Sequence, residues 1–244
     1  DGGLCAQRGA ASDAAGGPVS RLLHSVVMSA PGLVLAGITK DYPGAGPMRS
    51  RRALAALDLE VQAGEIVGLL GANGSGKSTA LKIAAGLVRA SAGTGLVSGH
   101  PMGSSSARHR TGYLPERGGM PDHLTAREAL QAWWAMGHIS QRQAKSPADQ
   151  WLKRVGLIEA AGQRIATFSK GMRQRLGLAQ ALMFEPELIL LDEPFSGVDP
   201  IGVDMLVGLI REQTSKGTAV LLSSHLLQRV EELCDAVVLL SDGK

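Results

Sequence analysis

The chain has 244 residues, of which 44% are hydrophobic and 19% charged, a balance typical of a globular protein with room for a sizeable core. Its net charge of +3 is too small to indicate a nucleic-acid surface, so we expect no nucleic-acid partner. Its two cysteines stand at opposite ends of the chain, which predicts neither a disulfide framework nor a metal cluster. The apolar runs are only a few residues long, whereas a membrane-spanning helix needs about 20 predominantly apolar residues.

Residues 1–32 read differently from the rest of the chain. The stretch from Asp1 to Gly17 is rich in Gly and Ala and shows no clear periodicity. The apolar stretch that follows is broken by His24 and Ser25, which argues against a signal peptide. We predict an N-terminal extension over residues 1–32, disordered or not native to the protein, with Met28 as the hypothetical natural start.

Two strands are expected next. Leu33 to Ile38 is apolar enough for a first strand, and the residues from Lys40 to Gly44 carry turn signals. Ala53 to Val61 alternates apolar and polar residues, which predicts a half-exposed strand. Tyr42 stands out because aromatic residues make up only 3% of the chain. By itself this tyrosine could stack on a purine or simply cover a sheet edge.

The segment from Gly71 to Thr79 carries the strongest motif. It follows the apolar run Ile66–Leu70 and opens a helical segment, and this order of strand, glycine loop and helix binds nucleotide triphosphates. The glycines let backbone N–H groups turn toward phosphates, and the positive end of the helix adds to that field. Lys77 can reach the β- and γ-phosphates, and the Ser78 hydroxyl can hold Mg²⁺. The predicted nucleotide-binding residues of this loop are Gly71, Ala72, Asn73, Gly74, Ser75, Gly76, Lys77, Ser78 and Thr79.

The middle of the chain changes its periodicity. A short strand over residues 93–99 and another over residues 110–116 are followed, from Thr125 to about Leu157, by a helical pattern. Thr125-Ala-Arg-Glu128 is a capping-box sequence that predicts a helix start. Because this block without strand signals interrupts an α/β chain, we predict an inserted helical subdomain at about residues 117–165.

The last part of the chain alternates again between helices and strands. The apolar run from Leu188 to Leu191 ends in Asp192 and Glu193, as a buried parallel strand would. Because such strands present ligand groups at their ends, Asp192 can meet the Mg²⁺ of the glycine loop, and Glu193 can polarise water against the γ-phosphate. The other predicted elements are helices at 170–184, 202–214 and 226–233 and strands at 218–223 and 236–240. The chain stops in a hairpin turn, so we expect a natural C-terminus beyond Lys244.

Read together, these motifs resemble the nucleotide-binding subunit of an ATP-binding cassette (ABC) transporter over nearly all of residues 33–244. Their order is Walker A at 71–79, a Q-loop position at 114–116, the signature Phe168-Ser-Lys-Gly-Met172, Walker B at 188–193, a D-loop at 196–199 and a switch histidine, His225. The resemblance implies an α/β fold, namely a P-loop NTPase (RecA-like) core with a small antiparallel β subdomain and an inserted α-helical subdomain. It also implies an ATPase that uses ATP and Mg²⁺.

The resemblance assigns roles to further residues. Tyr42 would stack on adenine, and His225 would hold the γ-phosphate and sense its loss. Ser169 and Gly171, at the start of a helix, would bind the γ-phosphate of an ATP held by the Walker A loop of a second subunit. The implied catalytic residues are Glu193, His225 and Lys77; the metal ligands are Ser78, Asp192 and Glu116; and the ATP contacts outside the loop are Tyr42, Glu116, Ser169, Gly171 and Asp199.

Three positions depart from the family's pattern. Glu116 stands where the Q-loop has glutamine, Lys170 replaces the second signature glycine, and Met172 replaces the signature glutamine. Glutamate can still contact Mg²⁺ or water. Signatures of the form Ser-Lys-Gly-Met resemble those of single-domain ATPases that serve exporters of drugs, ions or polymers.

The implied partners are a second nucleotide-binding subunit, identical or different, and a transmembrane permease at the cytoplasmic face of the membrane. Residues 116–157 would form the face that docks on the permease. One alternative is a soluble cassette ATPase acting on ribosomes or DNA, but such relatives usually carry two cassettes, a long coiled coil or zinc-binding insertions. Another alternative is a regulatory module that binds ATP without hydrolysing it. The presence of Glu193 and His225 argues against this alternative. The transported substance is not readable from the chain.

Overall fold

A computed structural model describes residues 30–43, 50–117, 119–137, 146–225 and 227–243, so the expectations for residues 1–29 and for the chain end lie outside it. The strands are β1 (Leu33–Pro43), β2 (Ser50–Val61), β3 (Ile66–Leu70), β4 (Ala92–Val97), β5 (His100–Pro101), β6 (Thr111–Leu114), β7 (Leu188–Asp192), β8 (Ala219–Ser223) and β9 (Ala236–Leu239). The helices are α1 (Lys77–Ala84), α2 (Ser105–His109), α3 (Ala126–Gly137), α4 (Ala148–Arg154), α5 (Lys170–Leu182), α6 (Pro200–Ser215) and α7 (Leu227–Leu233). None of the helices in these ranges is long and apolar enough to cross a membrane.

A parallel sheet with strand order β6-β7-β8-β3-β9 forms the centre of the fold. Every residue of β3, β7 and β8 is buried, because helices and the second sheet cover both faces of these strands. This explains why their sequences are continuous apolar runs rather than alternating ones. The consequence for function is that the loops at their carboxyl ends meet along one edge of the sheet.

The second sheet is antiparallel, with strand order β2-β1-β4-β5. The predicted turn over residues 40–44 is wrong in its first part, because β1 continues to Pro43. β2 begins earlier than predicted, at Ser50, and its first residues pair with the end of β1. This pairing between two strands extends β1, and local turn signals cannot predict it. An ion pair between Asp41 and Arg52, with 2.9 Å between Oδ1 and Nε, joins the two strands there.

Two hydrophobic cores lie on the two faces of the parallel sheet. One core lies between the two sheets and includes the buried face of α1. The other core lies on the opposite face, where residues of α3, α4, α5 and α6 pack together. The fold class predicted from the sequence is confirmed, with a P-loop core, an antiparallel β layer and helices between β6 and β7. The short elements α2 and β5 were not predicted, since five and two residues are too few to show a periodicity.

The capping box predicted at the start of α3 is present. The Glu128 backbone N–H donates to Thr125 Oγ1 at 3.2 Å, and the Thr125 backbone N–H donates to Glu128 Oε2 at 2.8 Å. The hydrogen bond from the Thr125 backbone holds the pKa of the Glu128 carboxyl below its usual value. Farther along the helix, Trp134 stacks on Phe184 with ring centroids 5.5 Å apart.

Candidate functional site

A cavity of about 850 Å³ lies where β1 ends and where the loops after β3, β7 and β8 meet. Its volume is within the range of pockets that bind small molecules. The predicted site residues that line it are Tyr42, Gly71, Ala72, Asn73, Gly74, Gly76, Lys77, Ser78, Thr79, Glu116, Glu193 and His225. The structure therefore collects residues from five separate stretches of the chain in one place.

The glycine loop between β3 and α1 forms one wall of this cavity. Gly76, with φ 112°, precedes α1, and a Cβ at this position would lie 2.5 Å from the carbonyl oxygen of Ala53, so only glycine fits there. The side chain of Lys77 is folded back over the loop, where its Nζ donates to the carbonyl oxygens of Gly71 at 2.6 Å and Ala72 at 3.1 Å. The ammonium of Lys77 is therefore held against the glycine loop.

Ser75 is the loop residue that does not line the cavity. It is buried, its backbone N–H donates to the Ala72 carbonyl oxygen at 3.1 Å, and its own carbonyl oxygen accepts from the Gly243 N–H at 3.1 Å. Ser75 thus ties the loop to the turn after β9. Its Oγ lies beside Gly71, where a Cβ would come within 2.6 Å of it.

Beneath the loop, Ser78 and Asp192 form the pair predicted to hold a metal. Ser78 Oγ donates to Asp192 Oδ1 at 2.9 Å, and the same carboxylate oxygen accepts from Ser223 Oγ at 2.7 Å. Asp192 is only 2% exposed, so its orientation is defined by these hydroxyls. A hydroxyl and a carboxylate are hard oxygen ligands of the kind that Mg²⁺ prefers, so this pair fits that ion. Ser223 was missed by the sequence analysis, although it ends the strand adjacent to Asp192.

Glu193 adopts a left-handed backbone conformation, with φ 51°. Such a conformation costs a non-glycine residue about 1–3 kcal/mol and persists where the surroundings enforce it. Here the Glu193 N–H donates to Ser223, to Oγ at 3.1 Å and to the carbonyl oxygen at 3.2 Å. The Glu193 carbonyl oxygen accepts from Nε2 of Gln174, on α5, at 3.0 Å. Both sides of the Glu193 residue are therefore hydrogen-bonded to neighbouring elements.

The carboxylate of Glu193 meets the switch histidine. Its Oε2 lies 2.8 Å from Nδ1 of His225, which follows β8. The Glu193 side chain is 12% exposed and the His225 side chain 55% exposed, so the carboxylate lies deep in the cavity and the imidazole near its mouth. An acid held in this way, beside the phosphate-binding loop, is suited to orient a water molecule.

The signature residues Ser169 and Gly171 lie at the start of α5 and do not line the cavity. Ser169 caps α5, with its Oγ accepting from the Met172 N–H at 3.2 Å. A Cβ at Gly171 would lie 2.8 Å from the carbonyl oxygen of Gly197, so the signature packs directly against the D-loop. Among the described residues that line the cavity, neither signature residue occurs.

Asp199, the predicted D-loop contact, also lies outside the cavity lining. Its Oδ1 accepts from the Gly202 N–H at 2.8 Å and thereby caps α6, which begins with Pro200. This hydrogen bond from Gly202 holds the pKa of the Asp199 carboxyl below its usual value. In this chain the carboxylate is engaged in helix capping.

Four cavity residues were not predicted from the sequence: Pro43, Arg51, Ala53 and Ser196. Arg51 and Ala53 lie two positions apart on β2, beside an irregularity in the β1–β2 pairing between Lys40 and Asp41. They could have been found only by knowing that β2 pairs with β1 beside Tyr42. Ser196, in the D-loop, accepts from Lys170 Nζ at 2.6 Å and so connects the cavity to the start of α5.

Comparison with known proteins gives the same assignment as the geometry. The model of the ABC transporter family matches residues 54–196. The chain is 40% identical over 194 residues to an uncharacterized ABC transporter ATP-binding protein, sll0415, of Synechocystis sp., which covers 79% of this chain and 55% of the relative. It is 35% identical over 196 residues to the daunorubicin resistance ATP-binding protein DrrA3 of Streptomyces coeruleorubidus, covering 80% of this chain and 62% of the relative. The chain thus spans little more than half the length of these relatives.

A solved structure shows the same fold. It is the dimeric structure of a post-hydrolysis state of the ATP-binding cassette MJ0796 bound to ADP and Pi, which is similar with a TM-score of 0.78 and 25% identity. The similarity covers 86% of this chain and 95% of that chain. Since the family model matches more than half of the residues, this chain belongs to the ABC transporter family and carries the family's ATP-binding ATPase domain.

Proposed function

We propose that this chain is the ATP-hydrolysing subunit of a transporter, and that it dimerises on ATP to drive a separate membrane permease. The observation that carries the proposal is an incomplete site. The glycine loop, the Ser78–Asp192 pair and the Glu193–His225 pair share one cavity, whereas the signature residues lie outside it. In a dimer, the signature residues of each subunit can complete the cavity of the other subunit.

In the proposed complex, the chain binds ATP along the wall formed by the glycine loop. The backbone N–H groups of the loop and the amino end of α1 surround the phosphates, and Lys77 contacts the β- and γ-phosphates. Tyr42, which also lines the cavity, stacks on the adenine. Residues 71–79 thus orient the triphosphate with its γ-phosphate toward Glu193.

Ser78 and Asp192 would hold Mg²⁺, and Glu116, which also lines the cavity, would contribute through its carboxylate or through water. When bound, the ion supplies positive charge that stabilises the leaving phosphate oxygens. Asp192 keeps its orientation because Ser223 Oγ donates to it at 2.7 Å.

Glu193 orients the attacking water, and His225 holds both Glu193 and the γ-phosphate. The 2.8 Å contact between Glu193 Oε2 and His225 Nδ1 links the two residues. Loss of the γ-phosphate would remove one of the two partners of His225. The histidine is thus suited to report the state of the nucleotide.

Dimerisation completes the site. α5 extends over 13 residues from Lys170, and Ser169 and Gly171 lie at its amino end, where backbone N–H groups attract a phosphate. In the proposed dimer, this end of one subunit contacts the γ-phosphate in the cavity of the other. The dimeric state of the structurally similar cassette MJ0796 supports this arrangement.

The dimer can be tested by the dependence of ATPase activity on protein concentration. A lone subunit should bind ATP but hydrolyse it slowly, so the rate should rise more than linearly with concentration. Equilibrium binding of MgATP to the dilute protein provides the reference. Strictly linear activity down to concentrations at which light scattering shows only monomer would overturn the proposal.

We infer that the complete protein works as an exporter at the cytoplasmic face of the membrane. The support is the Ser-Lys-Gly-Met signature together with the similarity to a daunorubicin resistance protein. We propose that the cassette extends over residues 33–244, after an extension at 1–32, and that the helical subdomain at about 117–165 docks on the permease with residues 116–157. Co-purification with a multi-span membrane protein tests this assignment, and co-purification with ribosomes or DNA alone would contradict it.

Replacing Gln174 by alanine should lower kcat about tenfold and leave KM for ATP nearly unchanged. The side chain is 3% exposed, and its amide donates to the Glu193 carbonyl oxygen, so its loss releases the backbone that orients the carboxylate without touching the ATP cavity. A tenfold change in rate corresponds to about 1.4 kcal/mol, which is within the range of about 0.5–1.5 kcal/mol for the net contribution of one hydrogen bond. Steady-state kinetics at a temperature where both proteins are folded provide the measurement. The control is Gln180→Ala on the same helix, and an effect on KM rather than on kcat would contradict the positioning role.

A further inference from the structure

We propose that Arg51 is a phosphate-binding residue of the nucleotide site, contacting the polyphosphate chain shared by ATP and ADP. This inference rests on the proposed function, since it adds a residue to the same cavity. Within one subunit, the predicted phosphate contacts other than His225 come from the glycine loop and α1. Arg51 belongs to the antiparallel sheet, so it would approach the phosphates from another side.

The position of Arg51 follows from strand register. It is directly opposite Tyr42 in the β1–β2 pairing, and such a pair has side chains on the same face of the sheet. Ala53 lies two residues farther along β2. Tyr42, Arg51 and Ala53 all line the cavity.

The guanidinium reaches the glycine loop. A Cβ built at Gly74 would lie 3.5 Å from Arg51 Nη2, so the cation is next to the part of the loop whose backbone N–H groups receive phosphate oxygens. Arg51 therefore lies between the tyrosine proposed to stack on adenine and the loop proposed to bind phosphates. The part of the nucleotide nearest the glycine loop would be its phosphate chain, which carries negative charge.

The neighbouring arginine shows what distinguishes Arg51. Arg52 points to the other face of β2 and is neutralised by Asp41, with contacts at 2.9 and 3.3 Å. Within the described part of the chain, no acidic side chain lies within 4.0 Å of the Arg51 guanidinium to form such a pair. Its charge is therefore available to a ligand in the cavity. Guanidinium groups match phosphate oxygens with two parallel N–H donors, which favours phosphate over a neutral ribose or base.

The two adjacent arginines provide a matched test, because Arg51→Gln and Arg52→Gln change the net charge equally on opposite faces of one strand. We expect Arg51→Gln to weaken MgADP binding about tenfold, as for loss of a charge-assisted hydrogen bond, and Arg52→Gln to change it less than about twofold. Isothermal titration calorimetry with MgADP measures both variants without interference from hydrolysis. AMP, measured by competition against ADP, should lose clearly less affinity than ADP in Arg51→Gln. Thermal unfolding without nucleotide checks that both variants are folded.

The outcomes separate this inference from the proposed function. If the unaltered protein bound neither MgATP nor MgADP, the proposed function itself would fail. If it bound them and the two variants were equally affected, Arg51 would not be a phosphate ligand. Equal losses for AMP and ADP in Arg51→Gln would also overturn the assignment to the polyphosphate chain.

Discussion

Replacing Glu193 by glutamine should lower the rate of ATP hydrolysis about a hundredfold or more, the range expected when a group that handles the water's proton is lost. The glutamine has the same size, so the contacts that enforce the backbone at this position remain. Its side chain can still reach His225, but it cannot accept a proton from water. Binding of MgATP should persist, because the phosphate-binding loop is untouched. Hydrolysis is measured as release of inorganic phosphate at saturating MgATP.

The same variant should accumulate as a dimer in MgATP, since slow hydrolysis prolongs the state that holds two subunits together. Size-exclusion chromatography with light scattering, with and without MgATP, measures this directly. A suitable control is Glu187→Gln, which alters an exposed carboxylate that precedes β7 and pairs with Arg110 at 3.1 Å. Hydrolysis at the unaltered rate by Glu193→Gln would remove Glu193 from the mechanism.

The second large effect is expected for Asp192→Asn. The asparagine is of equal size and can still accept hydrogen bonds from Ser78 and Ser223, but it removes the negative charge from the proposed Mg²⁺ site. We expect activity to fall about a hundredfold at 1 mM Mg²⁺ and the half-saturating Mg²⁺ concentration to rise, because a hard cation depends on its carboxylate ligand.

A magnesium titration of ATPase activity at fixed ATP provides the measurement. Asp204→Asn, an exposed substitution on α6, is the matched control because it removes the same charge away from the cavity. An unchanged Mg²⁺ dependence in a folded Asp192→Asn protein would show that Asp192 is not a metal ligand. Circular dichroism checks the fold, since Asp192 is buried.

The two predictions assign different roles to two neighbouring residues at the end of β7: Asp192 would bind the metal ion, and Glu193 would orient the water. Asp192 is held below the surface by two hydroxyls, while Glu193 turns into the cavity through its left-handed backbone. Gln174 connects this turn to α5, the helix that begins with the signature. In the proposed dimer, the signature that binds the ATP of one subunit is therefore connected, through the buried Gln174 amide, to the proposed catalytic carboxylate of its own subunit.

Much of this site was predictable from the sequence, for reasons that are local. The residues of the glycine loop are consecutive in the sequence, so they lie close together irrespective of how the rest of the chain folds. The apolar run before Asp192 predicted a buried strand, and strand β7 is entirely buried. The capping box at Thr125 and Glu128 also depends on residues only three positions apart.

The residues that sequence reasoning missed depend on pairing between distant segments. Arg51 faces the cavity only because β2 pairs with β1 in a register that sets it opposite Tyr42. Ser223 forms hydrogen bonds with Asp192 and Glu193, which are 31 and 30 positions away in the sequence. Gln174 forms a hydrogen bond with Glu193, 19 positions away. Neither residue belongs to a motif from which these contacts could be predicted. Side-chain direction in a strand changes with every residue, so a register must be known before such contacts can be named.

By itself the sequence determined the family and the fold class, because these depend on short motifs in a set order. The tertiary structure alone decided which of the motifs share a cavity. It brought Lys77, Ser78, Glu193 and His225 together along one cavity, whereas Ser169 and Gly171, at the start of α5, do not line it. That separation is a matter of three-dimensional packing, and it is the physical reason for proposing that the site is completed by a second subunit.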